Sequence, residues 1–418
     1  MQRKFAPLYC EEGACFYCAR ERIQLLQHGV DGKKRKMRFS RRTEWNTEEN
    51  QLAEAHRLRK QAALPIADLT ASNPTRCGFS YPASLLPALG NAAALDYDPQ
   101  PRGLQAARKA VCGYYAGYGV ELGPEQVVLT TSTSEAYSYL FRLLCDPGCE
   151  ILVPQPGYPL FDYLAVLDDV RVVGVPLVYD QGWQIDPESF RRAITDKSRA
   201  IMLVHPNNPT GHFTRAWEAE ELRQICLEHD LSLIVDEVFL DFSFGGDVKS
   251  FAEGLAGVSV FVVSGMSKIA GLPQMKAAWI VATGPEKEAA LDRLEVIADT
   301  FLSMNAPVQW ALPAWLASCE EIQSQIRRRV KNNLALLDAE LQRRPEMQRL
   351  AADGGWYAVV RIPAIEHDEQ TVLRLLGLGV WVQPGYFFGM RESGWLVVSL
   401  LAPEAEFTTG ARLLVSGI

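Results

Sequence analysis

The sequence has no apolar run near the ~18 residues that a membrane-spanning helix needs, and it has no excess of positive charge. Its formal net charge is −8 over 418 residues, which argues against nucleic-acid binding as the main function. No apolar segment of the secretory type follows Met1-Gln2-Arg3-Lys4. With 48% hydrophobic and 22% charged residues, the composition predicts a soluble, cytoplasmic globular protein long enough for two domains.

Cysteine is sparse, scattered and odd in number, with nine in the chain, so we interpret the cysteines as free thiols rather than a disulfide framework. Cys10, Cys15 and Cys18 have a spacing that would suit part of a zinc or iron–sulfur site. His28 is the one nearby candidate for a fourth ligand, and such spacing arises easily by chance. We therefore expect no metal site, and we interpret residues 1–45 as an N-terminal tail that is a candidate for disorder.

One lysine stands at the end of an apolar run. Val258–Val263 reads as a buried strand, and Ser264-Gly265-Met266-Ser267-Lys268 follows it. A lysine in that position is costly unless its amine is used. The amine can form a Schiff base with a carbonyl, and partial desolvation makes the neutral nucleophile available. For this segment alone, a lysine that extends to the surface remains the alternative.

Three other polar segments also close or follow apolar runs, at residues 130–136, 205–211 and 233–239. In open parallel sheets the ligand crevice lies at the carboxyl ends of the strands, so we expect these segments to meet Lys268 there. The first of them, with Ser132, opens a helix, where anions bind, although serine and threonine also serve as simple N-caps. The third carries Asp236, an acid whose carboxylate can hold a cationic N–H group by a charge-assisted bond.

The N-N-P-T-G, D-E-V and S-K elements, in this order and spacing, resemble the fold-type I pyridoxal-phosphate (PLP) enzymes of the class I/II aminotransferase family. The resemblance extends from about residue 69 to about residue 400. It implies an aspartate aminotransferase-like α/β fold: a three-layer α/β/α large domain with a mostly parallel seven-stranded sheet, and a smaller α+β C-terminal domain. The implied boundaries are 46–90 for an N-terminal segment associated with the small domain, 91–304 for the large PLP-binding domain and 305–418 for the small domain.

The resemblance also implies roles for particular side chains. Lys268 would form the Schiff base with PLP and transfer the proton at the substrate Cα, and Asp236 would support the ring nitrogen. Asn208 would bind the phenolic oxygen, Tyr158 would stack on the ring, and Tyr97 would reach the phosphate of the other subunit in a homodimer. The remaining phosphate contacts would come from Ser132, Thr133, Ser134, Ser267 and Lys276.

The implied activity is an aminotransferase that acts on an amino acid and a 2-oxo acid. A PLP-dependent lyase, synthase or decarboxylase is the alternative, because one fold supports all of these reactions. A third hypothesis is a PLP-sensing transcription regulator, which would carry a DNA-binding domain before the PLP-binding part. Residues 1–45 are shorter than the ~50 or more residues of an ordinary domain, which argues against this hypothesis.

Three departures from the family pattern concern the site. Phe239 stands where similar enzymes have a tyrosine that binds the phenolic oxygen, and Lys276 stands where they have an arginine for the phosphate. The last predicted strand, residues 395–400, has no arginine for the substrate carboxylate. Arg391, Ser72 and Asn208 are therefore our candidates for substrate contacts.

Overall fold

The computed structural model describes residues 37–246, 248–302 and 304–418. The cysteine triplet Cys10, Cys15 and Cys18 and most of the predicted tail lie outside the described residues. Within the described ranges, none of the helices is both long and apolar enough to cross a membrane.

The strands follow one another along the chain as β1 (Ala67–Asp68), β2 (Val127–Thr130), β3 (Glu150–Gln155), β4 (Arg171–Tyr179), β5 (Trp183–Ile185), β6 (Ser198–Val204), β7 (Ser232–Asp236), β8 (Val260–Gly265), β9 (Ala278–Thr283), β10 (Gln348–Arg349), β11 (Tyr357–Arg361), β12 (Val380–Trp381), β13 (Gln383–Pro384) and β14 (Trp395–Ser399). The α-helices are α1 (Gln51–Gln61), α2 (Gln105–Ala116), α3 (Thr133–Leu144), α4 (Leu160–Leu167), α5 (Pro187–Ala193), α6 (Ala216–His229), α7 (Met266–Ile269), α8 (Lys287–Phe301), α9 (Ala306–Ala317), α10 (Cys319–Leu341), α11 (Asp368–Leu378) and α12 (Glu404–Gly417).

The large sheet has the strand order β2-β9-β8-β7-β6-β3-β4-β5. The five strands from β8 to β4 in this order are parallel, whereas β9 runs antiparallel to both β2 and β8. Parallel strands are covered by helices on both faces and are therefore apolar throughout. Leu233, Ile234 and Val235 of β7 accordingly have no exposed surface.

The predicted number of seven strands is wrong, because the large sheet contains eight among the described residues. The additional strand is β5, which pairs antiparallel with β4 at the edge of the sheet. Gln181 lies between them in the left-handed backbone conformation, with φ 54°, and this turn folds the chain back on β4. A strand of three residues is too short for its periodicity to be recognised in the sequence.

A second, antiparallel sheet has the order β10-β11-β14-β13, and α10 packs against α12 beside it. The N-terminal segment joins this part of the molecule: β1 pairs with β12, where Ala67 lies opposite Val380, and α1 packs against α11. These contacts are compatible with the predicted association of residues 46–90 with the C-terminal part, and the domain boundaries stay a prediction.

The register of the central strands aligns their carboxyl ends. Val204 of β6 lies opposite Asp236 of β7, and Asp236 lies opposite Val263 of β8. The polar segments that follow these strands therefore start at one edge of the sheet, as expected for a ligand site in a parallel sheet.

Candidate active site

A cavity of about 300 Å³ opens at this edge. Most of the predicted site residues line it. They come from the loop before α2, the start of α3, the segments that end or follow β3, β6, β7 and β8, and the turn before β9: Ser72, Ser132, Thr133, Ser134, Tyr158, Asn208, Asp236, Ser267, Lys268 and Lys276. Their convergence is an observation, and their individual roles stay predictions.

Lys268 lies on the short helix α7, directly after β8. Gly265 ends β8 directly before this helix. The chain passes so close to Ala277 here that a Cβ atom at position 265 would lie 2.8 Å from the carbonyl oxygen of Ala277. The Lys268 Nζ atom is 5.2 Å from the ring centre of Trp356 and 5.8 Å from that of Phe239. Desolvation lowers the pKa of Lys268 to about 8, although the charge of Asp236 opposes this shift. About a tenth of the amine is then neutral at pH 7.

Asp236 ends β7 and is 4% exposed. Its Oδ1 accepts a hydrogen bond from the N–H of Val238 at 2.9 Å, and its Oδ2 accepts one from the hydroxyl of Tyr137. Burial raises the pKa of Asp236 to about 6, while the two hydrogen bonds and the charge of Lys268 act in the opposite direction. The carboxylate is therefore ionised at neutral pH and above.

The start of α3 forms the end of the cavity that suits an anion. Ser132 is the N-cap, and its Oγ accepts the N–H of Glu135 at 3.1 Å. The N–H groups in the first turn of a helix lack intrahelical partners, and the helix dipole adds positive potential there. Lys276, which is exposed and has a left-handed backbone with φ 54°, lines the same cavity. Hydroxyls, N–H groups and an ammonium group thus line one cavity.

The two asparagines of the N-N-P-T-G turn have different surroundings. Asn207 holds the turn, because its Nδ2 donates to the carbonyl oxygen of Pro156 at 2.9 Å and to Thr210 Oγ1 at 2.8 Å. Asn208 lines the cavity, and its buried Oδ1 has no hydrogen-bond partner within the described residues. A buried amide atom without a partner is costly, so Asn208 is available for a ligand.

Aromatic rings form much of the cavity wall. Tyr158, Phe239 and Tyr357 line it, and Phe239 packs edge-to-face on Trp356 at 5.3 Å. Sequence reasoning missed Tyr357 and Trp356, although both directly follow a Gly-Gly pair. It also missed Tyr137, which lies four residues after Thr133 and hence on the same face of α3.

Two predicted residues do not line the cavity of this chain. Tyr97 is 82% exposed, and its predicted role concerns the other subunit of a dimer. Arg391 is exposed in the turn before β14, so the geometry of the single chain gives its predicted substrate contact no support.

The family model for aminotransferase class I and II matches residues 94–412. Curated relatives include the glutamate-pyruvate aminotransferase AlaA of Escherichia coli (strain K12), which is 28% identical over 280 residues, or 66% of this chain and 69% of the relative. The alanine aminotransferase of Mycobacterium tuberculosis (strain H37Rv) is 28% identical over 347 residues, or 78% of this chain and 76% of the relative. Among solved structures, an alanine aminotransferase from Pyrococcus furiosus has a TM-score of 0.82 at 25% identity and covers 91% of this chain and 100% of its own. These matches confirm the predicted fold class.

Proposed function

The chain belongs to the class I and II aminotransferase family, a class of PLP-dependent enzymes, and on that premise we propose that it transfers an amino group between an amino acid and a 2-oxo acid with PLP attached at Lys268. One observation carries the proposal: Lys268, Asp236, Asn208 and the start of α3 line a single cavity. The cavity volume, about 300 Å³, lies in the range of small-ligand sites.

The residues present fit the chemical groups of PLP. The start of α3 with Ser267 and Lys276 would hold the phosphate. Asp236 would hold the ring nitrogen by a charge-assisted hydrogen bond. Asn208 would bind the phenolic oxygen, since rotation of its amide by 180° presents either a donor or an acceptor. Phe239 offers no hydroxyl for that oxygen, so Asn208 is the principal candidate donor.

When bound, PLP supplies an electron sink for negative charge at the substrate Cα. The amine of Lys268, which the amino group of the substrate displaces and so frees, would remove the proton from Cα as a general base and later return one as a general acid. Its pKa near 8 suits both steps, because a catalytic group works best when its pKa lies near the working pH. The rings of Trp356 and Phe239 restrict the amine and exclude water around it, while Asp236 keeps a proton on the ring nitrogen.

A single-turnover experiment tests this function. The holoenzyme is mixed with one amino acid and no 2-oxo acid, and the 2-oxo acid formed is counted per subunit. We expect one equivalent, and continuous turnover only after a 2-oxo acid is added. The names of the relatives make L-alanine and L-glutamate the first donors to test, with pyruvate as the first acceptor. Many turnovers without an acceptor would instead favour the lyase or decarboxylase alternative, and no product from any amino acid would contradict the proposal.

Replacing Lys276 with alanine is expected to weaken PLP binding about tenfold, because one charge-assisted contact to the phosphate is lost. The affinity for pyridoxal, which has no phosphate, should not change. Equilibrium dialysis of the apoprotein with both compounds measures the difference. Lys287→Ala, on α8 and beside Glu288, is the matched control. An equal loss of affinity for PLP and for pyridoxal would contradict a contact between Lys276 and the phosphate.

We also propose that the protein is a homodimer in which Tyr97 of one subunit contacts the phosphate in the other. In the single chain Tyr97 belongs to a segment of exposed apolar residues, in which Leu95 is 90% and Leu86 is 67% exposed. Neighbouring exposed apolar groups of this kind mark interaction surfaces. The cytoplasmic location also stays a prediction.

Hybrid dimers test the position of Tyr97. A Lys268→Ala chain and a Tyr97→Ala chain are each expected to be weakly active. After the two chains are unfolded and refolded together in equal amounts, random pairing should restore about a quarter of the wild-type sites, because each mixed dimer rebuilds one complete site from two chains. No restoration, in a protein that sediments as a dimer, would place Tyr97 at its own subunit's site or at none.

A further inference from the structure

We propose that Tyr137 is a positioning residue of this active site: its hydroxyl group donates to Asp236 Oδ2, orients that carboxylate towards the ring nitrogen and favours its ionised form. The inference rests on the proposed function, because it takes Asp236 as the partner of the cofactor ring. Tyr137 does not line the cavity, and it would act through Asp236 alone.

Tyr137 lies on α3, the same helix that faces the phosphate end of the cavity, and it is 1% exposed. Thr133 lines the cavity in the first turn, and Tyr137 follows it by four residues, on the same helix face. One rigid element therefore carries both the anion site and the hydroxyl that holds the acid. The separation between the two ends of the site is fixed by this helix.

Aromatic packing holds the ring of Tyr137 in place. It lies edge-to-face against Phe161, with ring centres 5.1 Å apart, and it stacks on Phe141 at 6.3 Å. Phe161 in turn packs edge-to-face against Tyr158, which lines the cavity, at 5.5 Å. These contacts hold the ring in the position from which its hydroxyl group donates to Asp236.

The carboxylate of Asp236 is held at both oxygens, by Tyr137 at Oδ2 and by the N–H of Val238 at Oδ1. The charged and titratable groups that act on this pair are the Lys268 ammonium, the hydroxyl of Tyr158 and the carboxyl group of Glu237. Glu237, the next residue, itself accepts hydrogen bonds from Ser250 and from the N–H of Phe251, at 2.7 and 2.6 Å.

The hydroxyl group also affects the charge of the acid. Burial favours the neutral form of Asp236, whereas donation from Tyr137 favours the carboxylate. Burial and the nearby carboxylate keep the pKa of Tyr137 well above its usual value, so Tyr137 remains a donor. Without it, the pKa of Asp236 should rise above about 6, towards neutral pH. A protonated Asp236 cannot keep a proton on the ring nitrogen by charge.

The test compares Tyr137→Phe with Tyr139→Phe. The control removes a hydroxyl from the same helix, at a buried ring that packs on Phe301 at 5.5 Å. Infrared titration of the apoprotein follows the carboxyl band that disappears in Asp236→Asn. We expect Tyr137→Phe to raise its midpoint by about one pH unit, and Tyr139→Phe to leave it unchanged.

The holoenzyme gives a second measurement. At pH 6, where a midpoint one unit higher lowers the ionised fraction of Asp236 from about one half to about one tenth, we expect Tyr137→Phe to lower kcat about fivefold with little change in KM. At pH 9, where Asp236 ionises without help, kcat should return to within about twofold of the wild type. A ring that only supports the fold would produce a loss that is independent of pH.

Matching behaviour of the two variants in both measurements would overturn the inference. A wild type that binds no PLP would instead contradict the proposed function, so the two failures are distinguishable. If Tyr137→Phe does not fold, a ring-fluorinated tyrosine at position 137 keeps the shape and makes the hydroxyl a stronger donor. It should move the Asp236 midpoint down, and an unchanged or higher midpoint would contradict the inference.

Discussion

Replacing Lys268 with alanine is expected to lower kcat by at least about 10⁴-fold, the upper range for loss of a general acid–base group. The substitution also removes the covalent attachment of the cofactor. The structure supplies the reason: the Nζ atom lies beside the paired rings of Trp356 and Phe239, 5.2 and 5.8 Å from their centres, and its pKa of about 8 leaves part of the amine neutral. Steady-state kinetics with PLP in excess measures the loss.

Lys268→Arg is the informative second variant. Arginine keeps the positive charge but does not deprotonate, so it should be nearly as inactive as Lys268→Ala. Lys287→Ala on α8 should retain full activity. If either variant at position 268 kept kcat within tenfold of the wild type, another residue would have to perform the proton transfer.

Asp236→Asn is expected to lower kcat about 10³-fold and, in the apoprotein, to raise stability at alkaline pH. Burial raises the pKa of Asp236 from 3.8 to about 6, so the folded state binds its proton more tightly than the unfolded state. The stability that comes from this proton is complete below about pH 4 and is lost as the pH rises through about 6. At pH 8 the ionised carboxylate therefore lowers the free energy of unfolding by about 3 kcal/mol. Asparagine has no charge and avoids this loss.

Urea unfolding of the apoprotein at pH 4 and pH 8 measures this effect. We expect Asp236→Asn to match the wild type at pH 4 and to exceed it at pH 8. The control is Glu237→Gln, because burial also raises the pKa of Glu237, to about 8, while its carboxylate binds Ser250 and the N–H of Phe251. The kcat of Glu237→Gln should stay within about tenfold of the wild-type kcat. Equal loss of activity in both variants would contradict a specific role for Asp236.

The central site could be predicted because each of its main residues ends or follows an apolar run. Asp236 and Lys268 follow strands whose burial is evident from composition, and parallel strands end at the same edge of a sheet. Tertiary pairing, in contrast, decides where a strand lies. β9 runs antiparallel between β2 and β8, and no local pattern specifies that position.

Contacts between distant segments were beyond sequence reasoning. Tyr137 lies 99 residues before Asp236, and a tyrosine within an amphipathic helix is typical of a packed core residue. Tyr357 begins β11 of the second sheet and Trp356 directly precedes it, and they approach Lys268 and Phe239 only in the folded chain. The residue types were visible in the sequence, but their partners were not.

The most direct test of the account is to identify the lysine that binds PLP. The wild-type protein is incubated with PLP, reduced with borohydride to make the bond to the aldehyde carbon permanent, digested and analysed by mass spectrometry. We predict one modified lysine per chain, at position 268, and none in Lys268→Ala. Stoichiometric modification of a different lysine, or no modification at all, would contradict the account.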